Sequence, residues 1–143
     1  VKSSDYISDI QDKALEHIKD SSIRLIKKAE LNSIKLQKQA NYPSIIFPAL
    51  NELSGQLYPC DLNANEALNI IRSCSKPFPG AYIELNKRKI KIWKAEKKSF
   101  KIKYRDKFFP GKIILKKNKI YIHFKDGILE SKDFQIKYLR IQS

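Results

Sequence analysis

Apolar residues in the first part of the chain recur at helical spacing: Ile7, Ile10, Ala14, Leu15, Ile18, Leu25 and Ile26. The pattern predicts a helix from Ser8 to Ala29, with Ser8 and Gln11 forming a capping box for its otherwise orphaned amides. One helix cannot bury such a stripe by itself, so a partner surface is required. From Asn32 to Pro59 the periodicity weakens under Pro43, Pro48, Gly55 and Pro59. Tyr42, Phe47, Leu50 and Leu57 make this stretch a packed tether rather than a disordered one. A second helix follows, capped by Asn63 with Glu66 at its third position and Leu62 as a staple residue. Ala67, Leu68, Ile71 and Cys74 share one side of it, and Lys76-Pro77 ends it.

After Pro79 the pattern changes to every second residue. Ala81 to Leu85 reads as a strand, Asn86-Lys87-Arg88 as a turn, and Lys89 to Ala95 as the return with Ile90 and Ile92 on one face. Phe100, Ile102 and Tyr104 then alternate with Lys101, Lys103 and Arg105. Ile113 to Leu115 and Ile120 to Phe124 form the next pair around a turn at Asn118-Lys119. Asp126-Gly127 is the strongest hairpin signal, before Ile128-Leu129 and a last strand from Phe134 to Ile141. Roughly five or six short antiparallel strands behind a helix predict an α+β chain: an N-terminal helix and linker, then a small, partly closed OB-like β-barrel.

Charge adds a second layer. The net charge of +14 favours phosphate-bearing partners through counterion release. Most of it is lysine, however, and bidentate recognition of phosphate or bases would favour the few arginines, Arg24, Arg72, Arg88, Arg105 and Arg140. A solvated lysine face and a nucleic-acid grip therefore both fit. No run of about 18 apolar residues predicts a membrane span, and no basic-then-apolar leader points to secretion. Cys60 and Cys74 are too few for a disulfide scaffold and match no zinc spacing, while His17 and His123 stand alone, so no metal site is expected. Thiols in a reducing cytoplasm are the expectation. A chain that starts at Val1 and holds no methionine is expected to be a processed product or a portion of a longer polypeptide.

The stretch IIRSCSKPFPGAYIELNKRKIKIWKAE resembles the start of the C-terminal domain of formyltransferases that use 10-formyltetrahydrofolate, among them methionyl-tRNA formyltransferase and the sugar N-formyltransferases. Arg72, Pro77, Pro79, Gly80, Ala81, Lys91, Trp93, Lys94 and Ala95 carry the likeness. FPGKIILKKNKIYIHFKDGILESKDFQIK is similar to the family's later Pro-Gly strand, Asp-Gly hairpin and closing strand. SDIQDKALEHIKDSSIRLI looks like the last helix of its catalytic domain, and YPSIIFPALNELSGQLYP like its linker. The resemblance implies residues 1–40 as that helix, 41–60 as the linker and 61–143 as the C-terminal OB-like domain. It also implies that the Asn, His and Asp that perform formyl transfer, and the 10-formyltetrahydrofolate they use, belong to a preceding domain. No catalytic residue and no cofactor is therefore assigned to this chain. Trp93 either covers the barrel or stacks on a ligand, and packing is the commoner role of an aromatic in a strand.

Two acceptors follow from the resemblance. In methionyl-tRNA formyltransferases the linker resembles Tyr-Ala-x-Lys-Leu-x-Lys, part of a tRNA-gripping surface. Here Ala49 and Glu52 stand at the lysine positions, and Tyr58-Pro59 where the family has Asp-Trp. A relocated basic face at Lys35, Lys38, Lys87, Arg88, Lys89, Lys91, Lys97, Lys98, Lys101 and Lys103 would suit initiator tRNA. An amino sugar attached to a nucleotide needs no such surface, and is the acceptor favoured by the missing linker lysines. An RNA-binding module or a homodimerisation module without chemistry of its own is the alternative.

Overall fold

The computed structural model describes residues 1–38, 51, 53–98 and 109–138. A long helix α1 (Ile7–Glu30) comes first and a short one, α2 (Ala64–Ser73), stands before the sheet. The strands are β1 (Ala81–Leu85), β2 (Arg88–Lys98), β3 (Ile113–Lys116), β4 (Lys119–His123) and β5 (Ile128–Tyr138). They form one antiparallel five-stranded sheet in the order β1-β2-β5-β4-β3. The α+β class is thus as expected. Among the described residues the sheet is not closed: β1 and β3 are its edges, and no ladder joins them. It is nonetheless curled, because Leu85 at one edge and Ile113 and Leu115 at the other line a single cleft of about 330 Å³. The strand expected at Phe100, Ile102 and Tyr104, with Lys101 and Lys103, lies outside the described residues, as does Tyr42 to Leu50 of the tether.

Helix α2 is written locally and packed globally. The Asn63 side chain accepts from the amides of Asn65 and Glu66 at 3.0 and 2.9 Å, and Glu66 returns the bond to Asn63 N at 2.9 Å. This reciprocal pair starts the helix where the sequence places it. Ala67, Leu68, Ile71 and Cys74 are buried on the sheet's inner face against Ile83, Ile90, Ile92, Ile120, Ile122, Phe124 and Leu129. Each buried aliphatic side chain contributes about 1.5–3 kcal/mol, so this single layer of helix on sheet carries most of the stability. The tether's end joins it. Tyr82 N donates to Gly55 O and Leu57 N to Tyr82 O, both at 2.8 Å, which gives β1 a short parallel neighbour and buries Leu57. An otherwise bare sheet edge is thereby partly covered.

The turns follow backbone sterics more closely than sequence pairs. Asn86-Lys87 and Lys117-Asn118 occupy the left-handed region, with φ of 48°, 62°, 47° and 56°. Both are therefore two-residue connections of the hairpin type. The second lies one position earlier than Asn118-Lys119, since Lys119 pairs with Lys116, and Arg88 already belongs to β2, opposite Leu85. Asp126-Gly127 does join β4 to β5, through a wider loop closed by Phe124 N on Gly127 O at 2.8 Å. Its residues serve another element: the Asp126 carboxylate accepts Ala64 N at 2.6 Å, at the start of α2. A Cβ on Gly127 would come within 3.2 Å of the Ala64 methyl. Ile128-Leu129 and the strand expected from Phe134 to Ile141, which is described as far as Tyr138, are one strand.

Helix α1 starts one residue earlier than expected, and its cap differs from the Ser8-Gln11 pair. Asp9 accepts the amide of Tyr6 at 2.8 Å instead, placing a carboxylate in the first turn where the helix dipole favours it. From Asp12 to Lys38 every residue is exposed, including Leu15, Ile18, Leu25 and Ile26. The stripe is real and is uncovered among the described residues. No described helix is long and apolar enough to cross a membrane.

One buried carboxylate escaped the sequence reading. Glu130 is only 5% exposed, with Lys119 Nζ at 2.8 Å and Lys98 Nζ at 3.3 Å. The Lys119 hydrogen bond leads in holding its pKa down to about 2, against burial, with Lys98 and Tyr121 adding to it. Because the folded value lies below the ordinary 4.5, this carboxylate stabilises the fold above pH 4.5, and the contribution is lost as pH falls toward 2. Urea unfolding across that window is expected to show the loss in the wild type and not in Glu130→Gln; equal slopes would refute the assignment.

Candidate functional site around the proline-glycine elbow

The elbow is built where α2 stops. Cys74 caps the helix, Phe78 N donates to Ser75 O and Gly80 N to Cys74 O, both at 2.9 Å, so the chain reverses within a few residues. The Lys76-Pro77 bond is cis. Gly80 has φ +91°, a conformation that side-chain-bearing residues resist. Over it lies Trp93: a Cβ at Gly80 would sit 2.9 Å from the indole Nε1, which donates to Phe78 O at 3.3 Å. Ala81 beneath is fully buried. Pro79, Gly80, Ala81 and Trp93 therefore form one unit, with Pro77 leading into it and the tryptophan as its half-exposed cover. Lys76 reaches back to 5.4 Å from the ring centre and 3.4 Å from Asp133. Arg72 is not part of this unit. It points to the start of the chain, where Nη1 donates to Ser3 O at 2.6 Å.

Beside the elbow opens a cleft of about 620 Å³, walled by Gly55, Phe78, Pro79, Tyr82, Lys89 and Lys91, with Asn51 and Ser54 at its polar end. Lys89 and Lys91 lie there because they alternate with the buried Ile90 and Ile92. The two lysines are unequal. Lys89 Nζ sits 3.8 Å over the Tyr82 ring and 3.4 Å from Glu84, so its charge is already met by a π face and a carboxylate. Lys91 has no ion-pair partner among the described residues. An ammonium beside an apolar wall can hold a phosphate or carboxylate oxygen as a point charge.

The remaining basic residues of the sequence reading are scattered. Lys87 is exposed at the hairpin tip. Arg88 pairs with Leu85 and Tyr138 on the inner face, opposite to Lys89 and Lys91, and stacks 5.0 Å from the Tyr138 ring centre. The sequence run Lys87-Arg88-Lys89 looks like one patch, but neighbours on a strand face opposite ways. Lys98 is tied to Glu130, Lys97 Nζ lies 3.3 Å from Asn65 Oδ1, and Lys35 and Lys38 follow α1. Lys101 and Lys103 lie outside the described residues. His17 is exposed on α1, whereas His123 is buried and its pKa is pushed down by that burial and then by Lys112. No described group of His, Cys, Asp or Glu side chains has the arrangement to hold a metal ion.

The residue that sequence reasoning missed at this end of the molecule is Tyr6. Its hydroxyl donates to Ala95 O at 3.1 Å and accepts from Ala95 N at 3.2 Å, across 89 positions of sequence. The signal available was faint: a lone aromatic just ahead of a helical stripe.

The profile of the family described as formyl transferase, C-terminal domain, matches residues 61–142, from the approach to α2 through the end of the sheet. No curated protein matches the chain. The match spans the capped helix, the elbow, the tryptophan strand and every strand of the sheet. The chain therefore belongs to the formyl transferase C-terminal domain family and includes the C-terminal region of a formyltransferase.

Proposed function

We propose that this chain is the non-catalytic C-terminal portion of a cytoplasmic enzyme that moves a formyl group from 10-formyltetrahydrofolate to a primary amine. In this reading residues 1–40 carry the last helix of the catalytic domain, 41–60 the linker and 61–143 the accessory domain. The observation that carries it is the bare stripe of α1: Leu15, Ile18, Leu25 and Ile26 are each more than half exposed. A helix of this length is marginal in water without a packed face, and a catalytic domain preceding the accessory one supplies the missing surface.

The acceptor in this reading is an amino sugar linked to a nucleotide. Support comes from the division of the cations: Arg88 lies on the opposite strand face from Lys89 and Lys91, stacked on Tyr138, Lys89 is neutralised by Glu84, and Lys98 serves Glu130. A phosphate track for a long RNA backbone needs free cations on one face, whereas a small acceptor needs few. The test is formyl transfer by the full polypeptide from 10-formyltetrahydrofolate to nucleotide-linked amino sugars and, separately, to charged initiator tRNA. Transfer to the sugar, with Lys89→Ala and Lys91→Ala each changing tRNA retention by less than about twofold, is the expected outcome. Transfer to tRNA, with binding that falls steeply as salt rises, would replace the sugar by initiator tRNA.

A further inference from the structure

Strand β2 does not run evenly against β5. The register shifts between Ile92 and Lys94 and again between Lys94 and Glu96, and Ala95, inside the second shift, has no partner on β5. A bulge of this kind leaves a backbone N–H and C=O outside the ladder. Ala95 is 5% exposed, so water does not satisfy them freely, and an unmade buried bond costs more than a made one gains. The Tyr6 hydroxyl satisfies both, donating to the carbonyl and accepting from the amide. A phenol can do this because one oxygen is at once donor and acceptor. Tyr6 is in turn fixed to α1, since its own amide is held by Asp9 at 2.8 Å. A second tie lies alongside, where Arg72 of α2 donates to Ser3 O at 2.6 Å.

These contacts gather at the foot of α1; beyond Gln11 the helix touches nothing that buries it among the described residues. With 24 residues, α1 is a lever about 36 Å long, and a tilt of about 10° at its foot moves its far end by about 6 Å. The geometry points to Tyr6 as a positioning residue: its hydroxyl ties β2 at Ala95, where β5 sets two residues against one, to the foot of α1 and so fixes the angle between the accessory domain and whatever α1 packs into. Arg72, which the family resemblance singled out without a task, is the second half of the same clasp. The kinetic side of this inference rests on the functional reading above, in which α1 belongs to the catalytic domain; the structural side does not.

Tyr6→Phe in the full polypeptide separates the two. The ring is kept and the two bonds are lost, so amide exchange at Ala95 is expected to accelerate by about tenfold, the equivalent of one to two ordinary hydrogen bonds. Exchange at Ile122 in the core is expected to stay unchanged, a contrast that a general loss of stability would not produce. With the acceptor that the wild type uses, kcat is expected to fall severalfold while KM stays within about twofold, because misorientation costs the reacting geometry and not the binding. Unchanged exchange at Ala95 overturns the clasp, and faster exchange with unaltered kcat overturns the positioning role. If the wild type transfers no formyl group, the functional reading fails, and exchange at Ala95 alone then decides the clasp.

Discussion

Phe124→Ala is expected to destabilise the fold by about 3–5 kcal/mol. Phe124 is fully buried and is the largest such side chain in the described core. It follows β4 at the loop whose other members hold α2: its own amide is bound to Gly127 O, Lys125 N donates to Leu62 O, and Asp126 accepts Ala64 N. Truncation leaves a void under the start of α2, and the cross-bonded loop has little freedom to close it. A single domain holds only about 5–15 kcal/mol in total, so a large share of the folded population is at stake. Urea unfolding followed by circular dichroism measures it. Leu115→Ala, at a site 59% exposed, is the control and is expected to cost little. A Phe124 effect below about 1 kcal/mol would mean that the loop collapses into the gap, and that the centre of the core lies elsewhere.

At the elbow, Gly80→Ala is expected to cost about 2–3 kcal/mol, from two separable sources. One is conformational: at φ +91° an L side chain is strained wherever it points. The other is steric: the new methyl would lie 2.9 Å from Trp93 Nε1 and 3.1 Å from Ile92 O. The indole can move, at the expense of its bond to Phe78 O; the strand carbonyl cannot. Because Trp93 is the chain's sole tryptophan, its fluorescence reports directly on that displacement and is expected to shift to the red. Combining Gly80→Ala with Trp93→Ala apportions the two sources. A cost well below the sum of the single changes assigns the damage to the clash, and strict additivity assigns it to the backbone. If Gly80→Ala shows no loss of stability and no spectral change, Gly80 has no part in the elbow's design.

Where local chemistry decides the structure, the sequence was a sound guide. Asn63 and Glu66 specify the start of α2 through bonds that span only three positions, and the buried set Ala67, Leu68, Ile71 and Cys74 follows from helical spacing alone. Strand β1 was equally legible, because alternation and the residues Pro79-Gly80 bracket it. The errors share a cause: a residue whose local role gave way to a distant one. Arg88 looks like a member of a basic run, and strand alternation turns it to the opposite face, against Tyr138. Ser8 and Gln11 satisfy a cap pattern, yet Asp9 offers a full charge two residues nearer the true start than Gln11. Tyr6 could not be found at all, since its task is set by a bulge that depends on the register of two strands. As for the site, the unit of Pro79, Gly80, Ala81 and Trp93 was visible as a motif. The division of Lys89 from Arg88 became visible only in the fold.

The ladder between β2 and β5 has one further consequence. Among the described residues, three of the four strand pairings, β1 with β2, β3 with β4 and β4 with β5, connect neighbours in the chain and close over short loops. Of these pairings, β2 with β5 spans the middle of the domain, joining Arg88 to Tyr138. Loop-closure entropy makes such a meeting slow compared with local hairpins. The two halves of the sheet can therefore assemble early and separately, and the time the chain needs to become native is governed by how long they take to find each other.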